Sequence, residues 1–272
     1  MCRFVAYIGS KSILIKDLLE TPSNSLIKQS KEAKHGHHGL NADGFGFAWY
    51  NKDIEPTPGI FKSIQPAWND KNLLHLSRKI VSNCFLGHVR ASTVGDVVFN
   101  NCHPFSYKEY SFVHNGTIRF FEKVHRALIN ELNDDFFEKL KSQTDSELIF
   151  FLIMQYLESD PNPSLEKALI QAFNRVIELQ IDHDQDHFSR LNIVITNGAE
   201  MIATRFVSKN HDPLSLYYST RGFFPSDSNA FESPYVLVAS EPLNDLDHEW
   251  SEVPANSYLT ISADFSCEIK PF

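Results

Sequence analysis

Position 2 of this chain is a cysteine, preceded by Met1 and followed by Arg3-Phe4-Val5. An initiator methionine ahead of a small side chain is expected to be removed, and Cys2 then carries a thiol and a free α-amine on one carbon skeleton. The thiol is the readiest protein nucleophile, and an α-amine with an ordinary pKa of about 7.7–8.0 takes and returns a proton near neutrality. Such a pair can attack an amide carbonyl without a separate histidine. Taken alone, Cys2 fits equally well as the first residue of a buried strand, where a free cysteine packs as a small apolar group.

Amide cleavage also needs donors for a tetrahedral oxyanion and groups that hold the substrate. Candidate segments follow in chain order: Asp43-Gly44-Phe45-Gly46, Gly87-His88-Val89-Arg90-Ala91-Ser92-Thr93, Asn101-Cys102-His103-Pro104-Phe105, His114-Asn115-Gly116-Thr117-Ile118, Thr144-Asp145-Ser146-Glu147 and Ala239-Ser240-Glu241-Pro242. The planar fork of Arg90 suits a carboxylate, and Asp145 suits an ammonium. Each has an ordinary structural counterpart. Arg90 fits a surface charge at a strand end, Asp145 fits a first-turn carboxylate favoured by the helix dipole, and Asn115-Gly116 by itself is the strongest short signal for a type I′ hairpin turn.

Together with Cys2, this ordered series resembles the class II (N-terminal nucleophile) glutamine amidotransferase domain. Met1-Cys2-Arg3, Asp43-Gly44-Phe45-Gly46 and Ala239-Ser240-Glu241-Pro242 look most like its small stand-alone members, related to the ergothioneine-pathway γ-glutamyl amidohydrolase and the glutathione-degrading amidotransferase subunit. The resemblance implies an α+β fold, the four-layer α/β/β/α sandwich of N-terminal nucleophile hydrolases, formed by residues 1–272 as a single domain. It implies cleavage of the γ-amide of glutamine or of a γ-glutamyl compound through a Cys2 thioester, with the Cys2 α-amine as general base. Asn115 and the Gly116 N–H would hold the oxyanion, Arg90 the substrate carboxylate and Asp145 its ammonium, with Thr93 lining the pocket. His103, Asp43 and His114 would support the pocket's shape. Where synthase-linked members have Arg-Trp-x-Thr-His-Gly, this chain has Arg90-Ala91-Ser92-Thr93-Val94-Gly95, so the lid and side-pocket contacts stay open.

No cofactor or metal is expected. His35, His37, His38 and Asp43 read as a Gly-rich polar loop rather than a metal cluster, and Asp182-His183-Asp184-Gln185-Asp186-His187 as an acidic helix-to-strand connection. No second catalytic domain follows in the sequence, so released ammonia either passes to a separate synthase or peptidase subunit or is lost, as in a simple hydrolase. Two other readings remain: an N-terminal-cysteine acylase acting on other linear amides, in which Arg90 and Asp145 would have no head group to grip, and a non-catalytic γ-glutamyl-binding scaffold, which an unremoved Met1 would produce.

The elements that must position these residues follow from periodicity. Phe4–Ile8 reads as a buried strand ending at Gly9-Ser10, and a helix begins at Ser25. Phe45–Tyr50 and Ile60–Ile64 form a hairpin joined by a turn at Pro56–Gly59, and Leu73–Val81 gives a helical face. Strands Phe85–Arg90 and Tyr110–His114 end on polar residues. Helices Asp145–Glu158, capped by Thr144, and Ser164–Gln180 follow. Strands then recur at Leu191–Thr196, Met201–Phe206, Leu214–Thr220, Tyr235–Ala239, Tyr258–Ile261 and Ser266–Ile269. With 272 residues and 42% hydrophobic content the chain can bury a full core. A net charge of −9 without a Lys/Arg cluster argues against nucleic acid or an anionic membrane as partner. The four dispersed cysteines, the absence of a signal peptide and the lack of an apolar run long enough to span a bilayer point to a reduced cytoplasmic setting.

Overall fold

Alternation along the first strand sets the architecture, because successive side chains of an extended chain point to opposite faces. Phe4, Ala6 and Ile8 enter one buried cluster, and Val5 and Tyr7 enter another. A strand apolar on both faces must lie between two layers. A computed structural model describes the chain except residues 35–39, 93, 184–187, 210 and 222–231.

The elements in order are β1 (Arg3–Leu14), α1 (Lys16–Leu19), α2 (Leu26–Lys31), β2 (Phe45–Asn51), β3 (Glu55–Ser63), α3 (Lys71–Leu76), β4 (Val81–Val89), β5 (Phe105–Tyr107), β6 (Tyr110–Ile118), α4 (Phe121–Glu131), α5 (Asp134–Phe137), α6 (Asp145–Ser159), α7 (Leu165–His183), β7 (Ser189–Thr196), β8 (Met201–Arg205), β9 (Tyr217–Ser219), β10 (Tyr235–Ala239), β11 (Ser251–Glu252), β12 (Ser257–Ile261) and β13 (Cys267–Pro271). They build two antiparallel sheets, one in the order β11-β9-β10-β1-β4-β2-β3 and the other in the order β13-β12-β8-β7-β6-β5. Val113, Val194 and Ala203 of the second sheet meet Phe4, Ala6 and Leu86 of the first in the middle of the molecule. Leu18, Leu26 and Leu73 cover the outer face of the first sheet, while Leu128, Leu152 and Phe173 cover that of the second. This is the expected α/β/β/α sandwich.

Several local expectations hold. Ser25 caps α2 by accepting from the Lys28 N–H, and Thr144 caps α6 by accepting from the Glu147 N–H. Others change. β1 runs past Gly9-Ser10 to Leu14. Pro56, Pro58 and Gly59 lie inside β3 and not in a turn, which an edge strand permits because one row of its N–H groups faces away from the ladder. The helical face proposed over Leu73–Val81 stops at Leu76, after which Val81 opens β4, and the strand proposed for Leu214–Thr220 shrinks to Tyr217–Ser219. α4 and α5 were absent from the sequence reading, although Phe121, Val124 and Leu128 form a helical stripe that is buried.

The hairpin reading of Asn115-Gly116 is overturned, since both residues lie inside β6, opposite Asn192 and Leu191 of β7. Glycine is required there by proximity: a Cβ on Gly116 would stand 1.8 Å from the Arg190 carbonyl oxygen and 2.4 Å from His114 Nε2. Gly116→Ala is therefore expected to push β6 from β7 and destabilise the protein by about 1–3 kcal/mol or more, read as a lower urea midpoint. An unchanged midpoint would contradict this packing.

Candidate active site

β1 lies between β10 and β4, with Arg3 opposite Val89 and Val5 opposite Ala239. That register delivers Cys2 to the point where the chain leaves β4 as Arg90-Ala91. Cys2 Sγ accepts from the Ala91 N–H and donates to the Ala91 carbonyl, both at 3.4 Å. Burial pushes the thiol's pKa up, against the downward pull of the Ala91 N–H, the N-terminal amine and Arg90, while Asp145 pushes it further up. A thiol held protonated in this way needs a base to become a nucleophile.

Arg90 is buried, and its guanidinium organises the segment that follows it. Nη1 donates to the Asp96 carbonyl at 3.0 Å, and Nη2 donates to Ser92 Oγ, the Val94 carbonyl and the Gly95 carbonyl at 3.0, 2.9 and 3.3 Å. Among the described residues these contacts leave the Nε–H and one Nη1–H for other acceptors. Asp43 braces the same segment through the Ser92 N–H at 2.8 Å, while the Asp43 N–H donates to the Arg90 carbonyl at 3.1 Å. Asp43 thus ties the start of the loop after β4 to the chain ahead of β2. Thr93 lies outside the described residues.

Asn115 is buried beside the N-terminus. Its Nδ2 lies 3.5 Å from Ser240 Oγ, and its Oδ1 is buried without a hydrogen-bond partner among the described residues. A cavity of about 240 Å³ is lined by Met1, Arg3 and Asn115, bringing the start of the chain and the candidate oxyanion donor together. Asp145, at the first turn of α6, accepts from the Ile118 N–H at 3.0 Å and so ties that helix to the end of β6. His114 Nε2 lies 3.2 Å from the Arg190 carbonyl and Nδ1 2.9 Å from Ser146 Oγ. A carbonyl only accepts, so the proton sits on Nε2, and the single Ser146 hydroxyl proton is shared between His114 Nδ1 and Asp145 Oδ1 at 3.2 Å. His103 stacks on His88 with ring centroids 4.1 Å apart, a packing role rather than a polar one.

The sequence reading missed what anchors the N-terminus. Arg3 and Glu241 form a buried ion pair, with Nε to Oε1 at 2.7 Å and side-chain exposures of 3% and 0%. Arg3 Nη1 also donates to the Met1 and Cys2 carbonyls at 3.2 and 2.8 Å, and Glu241 Oε2 accepts from the Lys34 N–H at 2.9 Å. Ser240 Oγ accepts from the Phe4 N–H at 3.1 Å. Both motifs were noted, but only pairing of β1 with β10 brings them together.

His35, His37 and His38 lie outside the described residues, as does 184–187 of the acidic connection. Among the described residues no group of three or more His, Cys, Asp or Glu is placed to hold a metal, and no helix is long and apolar enough to cross a membrane.

Burial holds the histidines of this region neutral. It pushes the pKa of His88 down to about 3 and that of His103 well below the ordinary value; His114 is also lowered, with Asp145 pulling the other way. Because these folded-state values are depressed, the unfolded chain binds more protons below an ordinary pKa of about 6.5. Stability is thus expected to fall as pH drops from about 6.5 toward about 3, by up to about 1.4 kcal/mol per pH unit for each such imidazole. Urea titrations from pH 7 to 4.5 check this, and His88→Asn should flatten the slope; an equal slope in the variant would contradict it.

A family model for class-II glutamine amidotransferases matches residues 21–222. A probable glutamine amidotransferase of Saccharomyces cerevisiae, DUG3, is 34% identical over 96% of this chain and 82% of its own length. The gamma-glutamyl-hercynylcysteine sulfoxide hydrolase of Mycolicibacterium smegmatis is 30% identical over 93% of this chain and 92% of its own. Among solved structures, a glutamine aminotransferase class-II domain protein from Silicibacter pomeroyi superposes with a TM-score of 0.72 at 29% identity, covering 100% of this chain and 99% of that one. The glutamine phosphoribosylpyrophosphate amidotransferase of B. subtilis shares the fold, with a TM-score of 0.64 at 15% identity over 99% of this chain and 49% of that one. A two-sheet sandwich with a cysteine at the start of a central strand, and relatives matched along nearly its whole length, place the chain in one enzyme family: it belongs to the class-II glutamine amidotransferases.

Proposed function

We propose that the protein, acting as one domain over residues 1–272, hydrolyses the γ-amide of glutamine or of a small γ-glutamyl compound through a γ-glutamyl thioester on Cys2. After Met1 is removed, the Cys2 α-amine takes the thiol proton as the sulfur attacks the carbonyl carbon. Asn115 Nδ2 and the Gly116 N–H stabilise the oxyanion. Collapse of the tetrahedral intermediate breaks the C–N bond, and the α-amine returns the proton to the leaving nitrogen. Water then attacks the thioester, releasing glutamate and regenerating the thiol. Arg90 holds the substrate's α-carboxylate through its Nε–H side and Asp145 holds its α-ammonium. Thr93 lines the pocket, with Asp43, His103 and His114 supporting its walls.

The observation that carries this reading is the placement of Cys2, which the pairing of β1 with β4 sets against the Ala91 backbone directly after Arg90. By their names, the mycobacterial relative supports a γ-glutamyl substrate and the yeast relative supports glutamine. A separate synthase or peptidase subunit that consumes a product belongs to the same proposal, as does a cytoplasmic location.

Intact mass of the purified protein before and after treatment with a glutamine-analogue diazo ketone tests it. Loss of Met1 and a single adduct on Cys2, blocked by glutamine, is expected. Retained Met1, or a free Cys2 that takes no adduct, would sink the proposal. Asn115→Ala is expected to lower kcat by about 10²–10³ with little change in KM, because the oxyanion exists only along the reaction path. Steady-state kinetics on glutamine and γ-glutamyl p-nitroanilide check it, and an equal rise in KM would assign Asn115 to ground-state binding.

A further inference from the structure

A second cavity lies apart from the one at the N-terminus. It measures about 630 Å³ and lies between β3, β5 and the start of α6, with Lys62, Phe99, Phe105, Lys141, Glu147 and Phe151 among its walls. The Lys62 ammonium faces the rings of Phe105 and Phe99, at 4.9 and 6.0 Å from their centroids. Among the described residues no carboxylate comes within ion-pair distance of it. Glu147, a carboxylate in its field, accepts at its Oε2 from the N–H groups of Lys141 and Ser142 at 2.9 and 2.6 Å. A half-buried cation over aromatic faces, with a second lysine bordering the same cavity and no carboxylate within ion-pair distance among the described residues, is stabilised when an anion joins it.

We propose that this cavity binds a small organic anion that joins one oxyanion group, phosphate or carboxylate, to a flat apolar body. The oxyanion meets Lys62 and Lys141, and the flat body stacks among Phe99, Phe105 and Phe151. The site is independent of the reading given to Cys2. Its walls nonetheless border the Arg90 segment, because Asn101 Nδ2 donates to the Asp96 carbonyl at 2.8 Å and Asn101 Oδ1 accepts from the Gln143 N–H at 3.0 Å.

Burial lowers the pKa of Lys62 to about 8, helped by Lys141 and opposed by Cys102 and Glu147; Lys139 and Glu138 also border the cavity. Anion binding therefore requires a lysine that is charged below about pH 8 and neutral above it.

Calorimetric titration of the full chain with phenyl phosphate, benzoate, inorganic phosphate and phenol is the test. Saturable binding of phenyl phosphate or benzoate is expected, tighter than either fragment and weakening above about pH 8. The better of the two identifies the head group. Lys62→Met should weaken it about tenfold or more while Lys62→Arg retains it. Should Lys62→Met fail to fold, Lys141→Met supplies the second variant, with a smaller loss expected. No saturation, equal affinity for inorganic phosphate, or full affinity in the folded Lys62→Met protein would overturn the site.

Discussion

Cys2→Ala is expected to lower the turnover of glutamine and of γ-glutamyl p-nitroanilide about 10⁴-fold or more, with the fold intact. On the proposed mechanism the variant keeps the base, the oxyanion donors and the substrate anchors, and loses only the atom that forms the thioester. The fold is expected to survive because among the described residues Sγ makes two hydrogen bonds, both long and both to the Ala91 backbone. Cys2→Ser separates nucleophile from base: it leaves the α-amine and a hydroxyl in the same geometry, and is expected to retain substrate binding while losing most of kcat. Tight glutamine binding without turnover in both variants fits the mechanism. Normal turnover in Cys2→Ala would place the chemistry on another residue.

Glu241→Gln is expected to cost about 3–5 kcal/mol of stability, because it leaves the Arg3 guanidinium buried without its carboxylate. Loss of activity should accompany it, since Arg3 also holds the Cys2 carbonyl and so fixes where the thiol lies. Guanidinium titration of the variant reads the first effect, and labelling of Cys2 by a glutamine-analogue electrophile reads the second. The double variant Arg3→Met/Glu241→Leu separates charge from position. Removing both charges is expected to restore much of the stability, as replacement of a buried pair by apolar groups often does, yet not the labelling rate. Recovery of both would make the pair merely structural, and a stable Glu241→Gln protein would argue against its burial.

Much of the architecture was legible because burial leaves a period. The two-faced apolar run Phe4–Ile8 and the exact bounds of Tyr235–Ala239 follow from strands covered on both sides. The Thr144 cap ahead of a long apolar stripe likewise announced α6. The candidate site residues were named by the ordered series of motifs and its resemblance to a family, since Cys2, Arg90 and Asp145 each have an ordinary structural reading when taken singly.

Their meaning was not local. Asn115-Gly116 carries the strongest short signal for a turn, and only the approach of the Arg190 carbonyl makes it a strand glycine. Pro56 and Pro58 punctuate a sequence but are tolerated on an edge strand, and edge position is a property of the sheet. Arg3 and Glu241 stand 238 residues apart and become an ion pair only when β1 and β10 take their register. Periodicity thus marked most strands and the long helices, because it depends on neighbours along the chain, while the layering, the candidate nucleophile and its helpers followed from the resemblance of the ordered motifs to a known family. Tertiary structure decided which atoms share the site, what anchors the N-terminus and that Lys62 faces aromatic rings, because distance between remote residues is set by sheet order.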